Sequence, residues 1–270
     1  MTKAWFEVFG DLDRRERKPR PTGLTMVLDK CQGPHAVADH IRFIGEYVDH
    51  WKLSFGTSAL LDADLLSEKI ALLKEGEITV YPGGTMTEVA MVRGVCRDYM
   101  RHAQRLGFNG IEISDGITHI SRTARHDAIQ FGLDLGLTVV TEVGKKDPDQ
   151  QPSPSQLAEQ ALADFESGAA WVTMEARESG RGIGVFAEDG TVHEEDVETI
   201  AGIVGDNLER VIWEAPLKKQ QEYFILRFGP NICLGNLKPR DVLGVEAMRT
   251  GLRFETFHQV IEELEKDSSR

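Results

Sequence analysis

The chain carries only three cysteines, Cys31, Cys96 and Cys233, far apart and without a CxxC pair. That spacing argues against a disulfide framework and a thiolate zinc site, and it fits free thiols in a cytoplasmic protein. Basic residues are outnumbered, with 31 Lys and Arg against 44 Asp and Glu, for a formal charge of -13. A chain without a basic face is not expected to bind nucleic acid. A small anionic substrate stays compatible with that charge if the few cations converge in one pocket. No apolar run reaches the length of a membrane span, so no membrane partner is expected. The first residues lack an unbroken apolar stretch, so no signal peptide is expected either. No β-rich run is followed by GxGxxG, which speaks against a dinucleotide-binding sheet.

What is present is an alternation. Eight short runs rich in Val, Ile, Thr and Trp read as strands: Leu24–Asp29, Trp51–Phe55, Ile78–Pro82, Gly110–Ser114, Thr138–Val143, Trp171–Ala176, Arg210–Ala215 and Asn231–Asn236. Between them lie helical periodicities. Val37, Ile41, Ile44 and Val48 share one face, as do Ala124, Ala128, Phe131 and Leu135. Ser153-Pro154-Ser155-Gln156 has the form of a helix start, with a capping serine and a glutamine three residues on. Gly107, Gly136 and Gly168 fall where helices end in a left-handed residue. Eight strand–helix units predict a single α/β domain, a closed (β/α)8 TIM barrel, with an open doubly wound sheet as the competing reading. The barrel is expected over residues 22–258, with an extension before it (1–21) and a tail after it (259–270).

A barrel of this kind carries its active site at the C-terminal ends of the strands. Charged residues recur there. Glu112, Glu142, Glu175 and Glu214 sit at similar places in strands four to seven. Carboxylates inside apolar strands are costly unless paired or bound to a metal. Convergent acids suit Mg2+, a hard ion with oxygen ligands, and Glu112, Glu142 and Glu175 are the candidate ligands. The alternative is an ion-pair network with neighbouring bases. Lys30, Lys52, Arg177 and Lys218 form a complementary set suited to a phosphorylated acid, joined by Glu178 and Ser179 of the same loop. The Gly83-Gly84 turn could present backbone amides to phosphate. Lys145 and Lys146 are the candidate catalytic lysines, and strand alternation favours Lys146, which shares the side of Glu142 if the strand runs that far. A lysine in a cationic, partly dry pocket is expected to have a lowered pKa and to exchange protons near neutrality.

These strand ends resemble the phosphosulfolactate synthase family. The matching stretches include GLTMVLDK, VYPGGTMTEVA, LGFNGIEISDGITHIS, VVTEVGKK, EARESGRGIG and VIWEAPLKKQQEYFILRFGP, and the likeness runs from about Gly23 to Phe257. EISDG, EVGKK and EARESG in that order are highly specific. The resemblance implies a (β/α)8 barrel, Mg2+, phosphoenolpyruvate and sulfite as substrates, (2R)-phosphosulfolactate as product on the route to coenzyme M, and a homo-oligomer. It also implies Lys146 as proton donor. Cys31 and Ser54 stand where the family usually has glycine. The family includes plant heat-stress-associated relatives, so a non-catalytic relative is one alternative. A barrel aldolase with a Schiff-base lysine is another.

Overall fold

The computed structural model describes residues 3–268. Each of the eight β-rich runs forms a strand: β1 Thr25–Asp29, β2 His50–Leu53, β3 Thr79–Pro82, β4 Gly110–Ser114, β5 Thr138–Val143, β6 Trp171–Met174, β7 Val211–Glu214 and β8 Cys233–Leu237. All ladders are parallel, and the order β3-β2-β1-β8-β7-β6-β5-β4 brings β3 back beside β4. The strands are buried on both faces because helices cover the outside, as in other parallel sheets. Inside, Met26, Tyr81, Val140 and Ile212 pack with Leu24 and Cys233 into a plug. The expected closed barrel is therefore present. Strand six stops at Met174 rather than Ala176, because the Ala176 N–H leaves the ladder for the Glu214 carboxylate at 2.9 Å.

The seam between β3 and β4 is built differently from the other seven. No backbone ladder joins the two strands. The β3 groups facing β4 are those of Ile78, Val80 and Pro82, since the odd residues bond toward β2. Proline has no N–H to give, so a full ladder cannot form there. Side chains close the gap. The Asn109 amide accepts from the Val80 N–H at 2.7 Å and donates to the Ile78 carbonyl at 3.3 Å. At the other end the Gly84 N–H donates to Glu112 at 2.6 Å.

The helices are α1 Phe6–Phe9, α2 Pro34–Ile44, α3 Ala63–Glu75, α4 Thr85–Val92, α5 Cys96–Leu106, α6 Arg122–Asp134, α7 Pro154–Glu166, α8 Glu194–Val204, α9 Lys218–Phe228, α10 Val242–Arg249 and α11 Phe254–Ser268. The capping box at the start of α7 is formed, with Ser153 and Gln156 bonding reciprocally. Gly107, Gly136 and Gly168 all adopt positive φ where helices end. The buried face of α6 is turned from the expected one: Arg125, Ala128, Ile129 and Gly132 point inward and Ala124 is exposed. An arginine replaces an apolar residue there because Asp164 of α7 receives it, at 2.8 and 2.6 Å. No helix among the described residues is long and apolar enough to cross a membrane.

Arg15, Lys18 and Arg20, ahead of the first strand, pack against the barrel through ion pairs and hydrogen bonds. Buried Arg15 donates to the Gly23 carbonyl at 3.0 Å and the Thr25 hydroxyl at 2.8 Å, and pairs with Glu246 at 3.0 Å. Arg20 pairs with Asp49 at 2.7 Å, and Lys18 caps the Gly45 carbonyl at 2.9 Å. Removing Arg15 leaves Glu246 and several carbonyls uncompensated. Arg15→Ala is expected to cost about 3 kcal/mol, which for a domain of this size lowers the melting temperature by roughly 6–12 °C in a circular dichroism melt. At the other end, the expected tail from 259 is continuous with α11; residues 269 and 270 lie outside the described residues.

Candidate active site

Alternation along the strands sends one side chain in two into the barrel. Lys52 from β2, Glu112 from β4, Glu142 from β5 and Glu214 from β7 all reach the layer above the apolar plug, and each is buried. Lys52 Nζ lies 2.9 Å from Glu112, 2.6 Å from Glu142 and 3.3 Å from Glu214. Glu175, one residue beyond β6, joins from above. Lys146 returns over the strand end and bridges Glu142 at 2.8 Å and Glu175 at 2.9 Å. The turn that allows this is Gly144, with φ of +119°, where a β-carbon would stand 2.9 Å from the Glu175 Cβ. Ser114, two residues past Glu112 and thus on the same side, donates to Glu142 at 2.9 Å.

The charges in this cluster do not cancel. Four carboxylates face two ammonium groups, all but Lys146 buried. Burial pushes the Glu112 carboxyl up to about 7, against the pull of Lys52 and with Glu142 adding to the rise. Burial, reinforced by Glu142 and Glu214, also holds Glu175 well above the usual carboxylate range. Glu142 goes the other way: burial opposes its ionisation, but Lys146 and Lys52 overcome it and hold the carboxyl well below its ordinary value. Burial would lower both lysines, yet the surrounding acids raise them above the ordinary lysine value. This corrects the expectation of a lowered lysine pKa. The pocket around Lys146 is acidic, not cationic.

The structure brings Lys52, Gly83, Gly84, Glu112, Glu142, Lys146, Glu175, Arg177 and Glu178 around one cavity at the barrel mouth. Arg177 is exposed at its rim, in a left-handed conformation with φ of 57°, and among the described residues no acid pairs with its guanidinium. Lys30 and Glu178 pair with each other over the mouth. Asn236, also left-handed, donates to the Arg177 carbonyl at 3.3 Å.

Other expected residues lie elsewhere. Lys145 points away from the cavity, its ammonium held by the Asp115 carbonyl at 2.5 Å, the Asp115 carboxylate at 3.0 Å and the Thr118 carbonyl at 2.8 Å. Lys218 opens α9 in solvent, paired with Glu255, and Ser179 is exposed outside the cavity lining. The Gly83 and Gly84 amides are already spent, on the Leu53 carbonyl at 2.8 Å and on Glu112 at 2.6 Å, so they are not free phosphate donors. Ser54 turns its hydroxyl to the Asp29 carbonyl at 2.8 Å, tying β2 to β1, while Cys31 is a free, exposed thiol. Sequence reasoning missed Ser114, although the alternation that selects Lys146 also selects it. It missed Glu88 too, which sits on α4 with no strand-end position to mark it.

Among the described residues no three acid, imidazole or thiol side chains form a ready-made metal cage. Mg2+ seldom needs one, since it keeps waters and binds through one or two carboxylates plus substrate oxygens. Two carboxylate oxygens each face a lysine ammonium. Glu112 Oε1 and Glu175 Oε2 accept no aligned hydrogen bond, although a lysine Nζ lies 2.9 Å from each. Hard oxygen donors with surplus negative charge fit a divalent cation, whereas both oxygens of Glu142 already have protein donors.

A parallel eight-stranded barrel whose C-terminal mouth gathers buried acids and lysines defines a (β/α)8-barrel enzyme. More narrowly, the chain belongs to the phosphosulfolactate synthase family: the family model described as (2R)-phospho-3-sulfolactate synthase (ComA) matches residues 13–255. It is therefore a lyase. The phosphosulfolactate synthase of Methanocaldococcus jannaschii is 42% identical over 240 residues, covering 88% of this chain and 95% of that one. The phosphosulfolactate synthase of Methanothermobacter thermautotrophicus is 39% identical over 248 residues, covering 91% and 95%. Among solved structures, a putative fructose-1,6-biphosphate aldolase from Coccidioides immitis superposes with a TM-score of 0.54 at 12% identity, covering 85% of this chain and 89% of that one, a likeness of fold alone.

Proposed function

We propose that the chain adds sulfite to phosphoenolpyruvate, giving (2R)-phosphosulfolactate, with Mg2+ as cofactor. The observation that carries this reading is Lys146, a protonated lysine fixed between two carboxylates at the mouth of a barrel whose family forms this product. Sulfite sulfur attacks the methylene carbon of phosphoenolpyruvate. A C–S bond forms, the C=C π pair moves toward the carboxylate, and the phosphate ester stays intact. Lys146 then gives a proton to the adjacent carbon from one face, which sets the R configuration, and recovers it from water. The guanidinium of Arg177 offers a bidentate fork to phosphate or carboxylate. Mg2+, held by Glu112 and Glu175 with Glu142 beside them, would supply positive charge against the charge developing on the substrate carboxylate. The cavity measures about 40 Å3, roughly one water's share of volume, so it has to widen to admit substrate.

A Schiff-base aldolase needs a neutral lysine. Lys146 is held in the charged form by Glu142 and Glu175, which speaks against that route. Incubating purified protein with Mg2+, sulfite and phosphoenolpyruvate tests the proposal by 31P NMR. Absence of a phosphosulfolactate signal across pH 6 to 9 rejects it. A homo-oligomer belongs to the same proposal. It is supported by exposed Leu60 and Leu61 in the turn packed on α4, exposed Val89 and Val92 of α4, and Ile117 in the loop bonded to α4. Light scattering on the purified chain would detect it.

Metal binding should depend on pH in a defined direction. Glu112 titrates near 4.5 when exposed and about 7 when folded, so the folded protein holds an extra proton between those values. Its stability then falls as pH rises through that window. A divalent cation on Glu112 displaces this proton. Mg2+ should therefore raise the melting temperature by several degrees at about pH 8 and hardly at about pH 5.5. An equal rise at both would remove Glu112 from the ligand set.

A further inference from the structure

Lys145 and Lys146 are adjacent in sequence and diverge in space. Lys146 lies along the loop that follows β4, residues 115–118. Its backbone N–H donates to the Gly116 carbonyl at 2.8 Å. A β-carbon built on Gly116 would stand 3.0 Å from Lys146 Nζ, 3.3 Å from its Cγ and 3.4 Å from its Cδ. The lysine therefore rests on the glycine along most of its length, and a β-carbon there would force it to give by a few tenths of an ångström.

The loop itself is gripped from two sides. On one, the buried Glu88 carboxylate of α4 accepts through a single oxygen from the Ile117 N–H at 2.9 Å, the Thr118 N–H at 2.7 Å and the Thr118 hydroxyl at 2.8 Å. On the other, the Lys145 ammonium takes the Asp115 carbonyl, the Asp115 carboxylate and the Thr118 carbonyl. One anion thus takes donors of this turn and one cation takes its acceptors. Behind them Arg125 reaches Asp115 at 3.3 Å and the Glu142 carbonyl at 3.0 Å. The Gly116 N–H donates to Ser114 Oγ at 3.1 Å, and Ser114 donates to the same Glu142 oxygen that holds Lys146. Loop, carboxylate and lysine form one connected unit.

We infer that Glu88 and Lys145 are positioning residues for Lys146: they clamp the loop after β4 so that Gly116 forms the bed fixing where the lysine's ammonium group sits. A free lysine side chain has four rotatable bonds and samples many rotamers. Delivery of a proton to one face of a small substrate requires that freedom to be removed beforehand. The stereochemical part of this inference rests on the proposed sulfite addition; the clamp itself does not.

The test uses the full chain with Glu88→Gln, Lys145→Met and Gly116→Ala, each checked for folding by circular dichroism. The first readout needs no turnover. Reductive methylation with formaldehyde and cyanoborohydride, followed by peptide mass spectrometry, gives the modification rate at Lys146. It should rise about tenfold in Glu88→Gln and Lys145→Met as the bed loosens, and in Gly116→Ala as the lysine is pushed off it. The second readout is sulfite addition. The variants should lose about tenfold to a hundredfold in kcat while KM for phosphoenolpyruvate stays within about threefold, and the (2S) product should become measurable. A merely structural role would leave the product purely (2R). Wild-type methylation rates at Lys146 in the folded variants overturn the clamp, as do wild-type kcat and pure (2R) product in all three. If the wild-type chain itself fails to turn over sulfite, the proposed reaction falls, and the methylation comparison still decides the clamp. Should Lys145→Met not fold, Glu88→Gln and Gly116→Ala carry both readouts.

Discussion

Lys146→Met should lower the rate of sulfite addition by about a thousandfold, the range associated with loss of a positioned general acid. Protonation of the carbon next to the carboxylate would then depend on water entering a cavity that is nearly filled. KM for phosphoenolpyruvate should change little, since Arg177 and Lys52 remain. The fold should persist. Glu142 keeps Lys52 as partner, and burial with Glu142 and Glu214 nearby already holds the Glu175 carboxyl well above the usual carboxylate range. Steady-state kinetics with a circular dichroism control would check this. A variant retaining more than about a tenth of wild-type kcat takes the proton-donor role away from Lys146.

Lys52→Met should act on stability more than any other single change in the site. Lys52 is the buried cation shared by Glu112, Glu142 and Glu214, and removing it leaves buried carboxylates facing one another. Breaking such a set typically costs about 3–5 kcal/mol. The cost should itself depend on pH. Without Lys52 the folded-state values of Glu112 and Glu142 rise, while those of the unfolded chain stay near 4.5. A carboxylate raised on folding loses stability as pH climbs from its unfolded value through its folded one. The deficit relative to wild type should therefore widen between about pH 5.5 and pH 8. Denaturant titrations at the two pH values would show it, and a deficit independent of pH would mean that the charges around Lys52 are not what its removal exposes.

Much of this site was legible in the sequence because barrels impose a simple rule. A period of two along a strand decides which residues look inward, and it favoured Lys146 over Lys145, although β5 ends at Val143 and the Gly144 turn is what sends the two lysines apart. It also gathered Glu112, Glu142, Glu175 and Glu214 from four distant segments. The rule fails where the backbone leaves the strand. Lys218 follows Glu214 closely in sequence, yet β7 ends at Glu214 and the chain turns into α9, which carries the lysine to the surface. Gly83 and Gly84 were placed correctly, but their amides serve Leu53 and Glu112, and nothing in a local motif reveals such partners. The direction of the Lys146 shift was missed for a related reason. Counting cations at strand ends overlooks that the acids are buried around this lysine, whereas Lys30, Arg177 and Lys218 are exposed. Arg125 and Arg15 were unreadable in the same way. Each is a charged residue inside the protein only because a distant acid meets it there.

The Pro82 joint gives the ring a mechanical asymmetry. Seven of its contacts are zipped by main-chain ladders, which yield only if several bonds fail together, whereas the eighth is fastened by a few individual clasps, among them the Asn109 amide and the grip of Glu112 on Gly84. The cylinder is built like a split collar: opening it at that slit would break individual clasps and no ladder. Glu112 sits on the lip of that slit, so whatever spreads the collar also shifts one wall of the chamber in which the chemistry takes place.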